Sequence, residues 1–309
     1  MNSYKMKRGL ESYFEGTLVG GAIGDALGNP LEGMTKERIL YKYGRVIDYQ
    51  TLWEPAGTFT DDTELTLITA ESLIDFKGLN LNDLARRFVN WIKIARSFGI
   101  TTQSSIMNLV EGKSPNESGM DSASNGPAMR ASPFGLLYFK NKIKLYDSLR
   151  KASFMTHANE QAFAGALAVA LGIQFIIKNP KSDISTMFNY LTKELVKVDH
   201  ELVDKLNFVR ENLKRDVDFM IDNVGTSSYV IHSVPFAFYC FARKPNDFED
   251  IVVTAANAGG DTDTNASIAG NLGGCYNGLD RIPKRLVNGL REFVKVKKIA
   301  NKLYKLHIN

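Results

Sequence analysis

Cysteine is scarce in this chain: two residues among 309, Cys240 and Cys275, in separate apolar segments. That excludes a disulfide framework and a thiolate zinc site, and fits a reducing cytoplasm, where the chain is expected to reside. A signal-peptide apolar run is missing too, because the first twenty residues carry charges throughout. Long hydrophobic runs are few. The longest, 162–177, is interrupted by Gly165, Gly172 and Gln174; at about sixteen residues it falls short of the roughly twenty that span a bilayer. No membrane partner is expected. Charge of one sign is nearly absent as a net quantity, +4, and the basic excess gathers at Lys295, Lys297, Lys298, Lys302 and Lys305. A nucleic-acid binder carries a denser basic stripe with interleaved aromatics, so nucleic acid is not an expected partner. Period-two alternation is confined to one candidate strand, residues 45–52. No βαβ alternation, no glycine-rich loop after a strand and no repeat of 20–50 residues is visible, which excludes nucleotide-binding sheets and solenoids.

What is present reads as helix. With 44% hydrophobic residues the chain has enough apolar side chain for a sizeable core. Leu65, Ile68, Leu73 and Phe76 recur at helical spacing, as do Leu84, Phe88, Trp91 and Ile92. The Ala- and Leu-rich segment 160–178 ends at Asn179-Pro180, a natural stop. Further helices are predicted over 10–28, 184–196, 203–214, 233–242, 248–258 and 283–306. The polar stretch 112–125 is the loosest part but leads straight into a motif, so residues 1–309 read as a single all-α domain.

Two segments place carboxylates and hydroxyls side by side: Thr58-Phe59-Thr60-Asp61-Asp62-Thr63-Glu64 and Gly259-Gly260-Asp261-Thr262-Asp263-Thr264-Asn265. Each precedes a helical run. Helix capping accounts for either alone, since Thr, Asp and Asn accept bonds from the first free N–H groups. Capping does not call for so many acids in succession, whereas packed oxygen ligands suit a hard cation such as Mg²⁺ or Mn²⁺. If the two helix starts face one another, Asp61, Asp62, Asp261 and Asp263 converge, and divalent ions would neutralise their repulsion. No Cys or His accompanies the acids, which disfavours zinc. Asp25 lies in an apolar, glycine-rich run where Gly20, Gly21 and Gly24 suit close helix packing, and it needs hydrogen bonds there. Glu32 follows Pro30, past an expected helix end. At Asn125-Gly126-Pro127-Ala128-Met129-Arg130 a polar loop opens a helix, and free N–H groups at such an end suit a phosphate. Thr156-His157 is a fifth feature, although a lone His is more often structural.

Taken in order, G-x-x-G-D-A-L-G-x-x-x-E (21–32), F-T-D-D-T (59–63), N-G-x-A-M-R-x-x-P (125–133), T-H (156–157) and G-G-D-T-D-T-N (259–265) resemble the ADP-ribosylglycohydrolase family. The resemblance implies an all-α fold with a two-metal cleft holding Mg²⁺ or Mn²⁺. It implies Thr60, Asp61, Asp62, Asp261, Asp263 and Thr264 as metal ligands, with Glu32 a mobile or partial one. It further implies that Asn125, Gly126, Ala128 and Met129 hold the diphosphate of ADP-ribose, that His157 lies against a ribose and that Tyr229 contacts the nucleoside. Glu32 or Asp62 would take the proton from the attacking water. The expected activity is hydrolysis of the glycosidic bond between ADP-ribose and an acceptor, either a protein side chain or a small ADP-ribose derivative. One position departs from the pattern. Members acting on ADP-ribosyl-arginine carry an acid where this chain has Ser97, which leaves the acceptor open. A catalytically silent binding or structural protein, and a two-metal phosphoesterase, are the competing readings.

Overall fold

The computed structural model describes residues 9–52, 54–180 and 182–308. Among them are seventeen α-helices and two short 3-10 helices, with no strand. The expected all-α architecture is what the protein has.

Two helices form the axis of the molecule, Leu10–Gly28 and Thr262–Asn277. They run antiparallel along a seam of glycines. A Cβ on Gly16 would lie 2.2 Å from the Gly274 carbonyl oxygen, one on Gly20 2.4 Å from that of Gly270, and one on Gly24 1.9 Å from that of Ala266. No side chain fits at these distances, so the backbones touch. The seam has a direct consequence for function. It sets the C-terminal end of the first helix, with Asp25 and the following Glu32, beside the N-terminal end of the second, with Asp261 and Asp263.

Around this pair the helix Glu160–Lys178 is buried over nearly its whole circumference, from Ala162 to Ile177. Its 19 residues are long and apolar enough to cross a membrane, beyond what the interrupted run 162–177 suggested, but 89% of its apolar window is buried within the protein. This is a core helix. Asn159 caps it by accepting from the N–H groups of Gln161 and Ala162.

Two expectations fail. Residues 45–52 form no strand: the Asn257 side-chain amide brackets Val46, accepting from its N–H at 2.8 Å and donating to its carbonyl at 2.7 Å. Tyr49 donates to the Leu286 carbonyl at 2.8 Å. Tertiary side-chain bonds take the place of a neighbouring strand. Residues 283–306 form not one helix but two, Lys284–Gly289 and Phe293–Lys305. Here Arg291 N–H donates to the Gly57 carbonyl at 2.9 Å, and Glu292 adopts a left-handed φ of 57°. The loop that leads into the first acidic cluster breaks the helix.

Candidate active site

Asp25 fastens the first acidic cluster to the central helix. One carboxylate oxygen accepts from the N–H and hydroxyl of Thr60, both at 2.9 Å, and the other from the N–H and hydroxyl of Thr63, at 3.0 and 2.6 Å. Burial pushes its pKa up to about 7, and these four bonds hold it down against that pressure. The N-terminus of the helix Asp61–Asp75 is thereby capped from another helix.

The second cluster is placed by its own glycines. Gly259 and Gly260 have φ of +79° and +77°, conformations open to glycine at little cost. They let Gly260 exchange backbone bonds with Gly33 and Met34, at 2.9 Å each. Glu32 thus stands beside Asp261. Asp261 occupies the N-cap position of its helix but makes no capping bond; its carboxylate accepts instead from the Asn125 amide at 2.9 Å. Capping does not explain this residue.

The clusters meet. Thr264 hydroxyl donates to Asp62 at 3.2 Å, and Thr60 Oγ1, whose proton goes to Asp25, lies 3.4 Å from an Asp263 oxygen. Glu32, Asp261 and Asp263 bring ligand oxygens within 4.8 Å of one another. Glu32, Asp61, Asp62, Asp261, Asp263 and Thr264 line one cleft with a cavity of about 380 Å³, and no Lys or Arg is among its described lining residues. Two grooves of similar volume, about 370 and 380 Å³, lie elsewhere and lack such a cluster. Burial, reinforced by the neighbouring carboxylates, pushes Asp62 and Asp263 well above the usual carboxylate range. Partial burial, then the charges of Asp261 and Asp61, also raise Glu32. Burial raises Asp61, while the Ser97 hydroxyl, which donates to it at 2.7 Å, opposes the shift.

A divalent cation fits these residues. The donor set is all oxygen, as a hard ion prefers. Asp62 Oδ1 is buried with no hydrogen-bond partner, an arrangement that costs free energy unless something positive meets it.

The phosphate-loop residues lie at the same cleft but not as expected. Asn125, Gly126 and Met129 line it, whereas Ala128 and Thr60 are buried behind it. The helix Gly126–Met129 is only four residues long, and the N–H groups of Ala128 and Met129 turn inward to the Asn125 carbonyl at 2.8 and 3.1 Å. They are not free for a phosphate. Gly126 has no room for a side chain: a Cβ would lie 2.6 Å from the His157 ring. His157 itself is 1% exposed, with both ring nitrogens engaged, by Thr156 at 2.9 Å and Ser124 at 2.8 Å. Tyr229 is not among the lining residues; its hydroxyl donates to Gln161 at 2.9 Å, and its neighbour Ser228 reaches the cleft instead. Ser124, Ser228 and Thr101 carry no sequence signal of their own; Arg130 does, as the Arg of the N-G-x-A-M-R-x-x-P segment.

Fold and site together define a class: an all-helical protein, among its described residues, that gathers four aspartates and two threonines at facing helix starts with Glu32 beside them. The particular family follows from comparison with known proteins. Residues 6–309 match the family model of ADP-ribosylglycohydrolase. The chain is 33% identical to an uncharacterised protein of Archaeoglobus fulgidus, over 97% of this chain and 98% of that one. It is 26% identical to the ADP-ribosylhydrolase ARH3 of Danio rerio, over 96% and 91%. A solved structure described as an ADP-ribosylglycohydrolase-related protein complex shares the fold with a TM-score of 0.81 at 25% identity, over 96% of this chain and 98% of that one. The chain belongs to the ADP-ribosylglycohydrolase family.

Proposed function

We propose that this protein is a metal-dependent hydrolase that cleaves the glycosidic bond between ADP-ribose and an acceptor. One observation carries the reading: two acidic clusters far apart in sequence converge on a cleft lined by no Lys or Arg among the described residues, beside a buried, unpartnered Asp62 oxygen. Thr60, Asp61, Asp62, Asp261, Asp263 and Thr264 would hold two ions, Mg²⁺ or Mn²⁺, with Glu32 at the edge. When bound, the ions supply positive charge that gathers the ribose hydroxyls and acidifies water.

The residues divide the remaining work. Asp62 is 2% exposed and already bonded to Thr264, so an incoming water cannot reach it easily. Glu32 is exposed at the cleft mouth, where an incoming water can reach it, and partial burial beside Asp261 and Asp61 raises its pKa, which strengthens it as a base. We assign Glu32 as the base. As the bond to the acceptor breaks, positive charge grows at the anomeric carbon and the surrounding carboxylates stabilise it. On the acceptor side Ser97 offers a hydroxyl already directed at Asp61, and Phe98 and Ile100 are exposed beside it. With Ser97 in place of an acid, that position offers no carboxylate to pair a guanidinium, which favours an acceptor other than arginine.

The test is a panel of ADP-ribosylated Arg, Ser, nucleobase and acetyl-ribose substrates, assayed with Mg²⁺ and with Mn²⁺. Release of free ADP-ribose is expected. Release of inorganic phosphate would mark a phosphoesterase, and no release at all a binding protein.

A further inference from the structure

Arg130 is 3% exposed, yet no carboxylate bonds it. Its Nη1 donates to the Gly126 carbonyl at 2.7 Å and its Nη2 to the Thr156 hydroxyl at 2.6 Å. A guanidinium only donates. Thr156 Oγ1 therefore receives a proton from Arg130 and must spend its own elsewhere. Two acceptors are in reach: His157 Nδ1 at 2.9 Å and the Ser153 carbonyl at 3.4 Å. The shorter contact decides it. With Nδ1 accepting, a neutral imidazole carries its proton on Nε2, which donates to Ser124 Oγ at 2.8 Å. Burial, then the charge of Arg130, hold His157 neutral by pushing its pKa well below the usual value. Ser124 Oγ also receives the Ser122 hydroxyl at 3.4 Å, which in turn receives that of Thr101 at 3.0 Å. Every neighbour points a proton at Ser124, and Ser124 lines the cleft.

We propose that Arg130, Thr156, His157 and Ser124 form a directional hydrogen-bond relay whose last hydroxyl donates into the cleft, to an anionic oxygen of the substrate's diphosphate. The assignment of the ligand rests on the hydrolase reading above. The direction of the relay does not. His157 acts through Ser124 rather than on the substrate, so it and Arg130 are positioning residues, and Ser124 is the contact. The relay also supplies a donor that the inward-turned amides of Ala128 and Met129 do not.

The experiment has two arms, both on the full-length, metal-loaded protein. ¹⁵N-resolved imidazole spectra read the tautomer of His157, with His157→Gln for assignment. The expected state is Nε2–H, retained in Arg130→Lys and lost in Arg130→Met. An Nδ1–H imidazole in the wild type overturns the relay by itself, whether or not the Arg130 variants fold. Calorimetry with ADP and with ADP-ribose then compares wild type with Ser124→Ala. Both ligands should bind about tenfold more weakly, the scale of one charge-assisted bond. Unchanged affinities overturn the contact, and weakening for ADP-ribose alone moves it to the terminal ribose, against the proposal. A wild type that binds neither ligand sinks the ligand assignment together with the hydrolase reading, while the tautomer still decides the relay.

Discussion

Replacing Asp263 by Asn and Glu32 by Gln should separate two duties that share one cleft. Asp263 is buried among the acids, and its loss removes a full charge that would balance the proposed cations. Asp263→Asn is expected to abolish metal binding, read by calorimetry, and turnover together. Glu32→Gln should leave metal and ADP-ribose binding in place while kcat falls by about two to four powers of ten. A rate within a few-fold of wild type would transfer the role of base to Asp62. At this scale the acids were legible because carboxylates are rare in close succession and have few structural uses there. The Ser124 relay was not. Serines at 122 and 124 look like loop residues until the fold sets His157 behind them. Tyr229, expected at the nucleoside, lies outside the cleft lining, with its hydroxyl beside Gln161 and Glu201.

At the scale of elements the glycine seam is the part most exposed to mutation. Gly24→Ala would force a methyl group to within 1.9 Å of the Ala266 carbonyl, so the two central helices must part. The expected loss is at least about 1–3 kcal/mol, as for overpacked cores, seen as a lower melting temperature and weaker metal affinity. Gly9→Ala, with nothing within 4 Å, is the control and should melt as wild type does. If Gly24→Ala keeps both properties, the seam does not position the site. The helices Leu10–Gly28 and Glu160–Lys178 could be read to the residue because long apolar runs leave little ambiguity. Short amphipathic helices such as Lys36–Tyr43, which buries only Ile39, gave almost no signal. The break at Arg291 could not be read at all, since its cause is Gly57.

For the whole molecule, the uncompensated acids couple stability to pH and to metal. A carboxyl whose folded pKa is raised stabilises the fold fully below its ordinary value and ceases to do so as pH rises through the folded one. Asp25 shifts from 3.8 to about 7, and Asp62 and Asp263 shift in the same direction. Metal-free protein in a chelator should therefore lose melting temperature as pH climbs from about 5.5 to 8, and saturating Mg²⁺ should restore more of it at the upper end. A melting temperature that rises over this interval without metal would refute the account. The chelator should also remove ADP-ribose binding, because the diphosphate would then face bare carboxylates.

The antiparallel seam has a consequence for biosynthesis. Asp25, Asp61 and Asp62 leave the ribosome early, whereas residues 259–265, which complete the cleft, emerge late. Until then the nascent chain carries repelling charges and an uncovered row of glycines, with no partner helix to close over them. Closure of the cleft thus waits for this late segment, and a chain halted before residue 259 has nothing to close. Stalled chains of that length should stay protease-sensitive whether or not Mg²⁺ is present, and chains carried through to 309 should gain resistance when the ion is added.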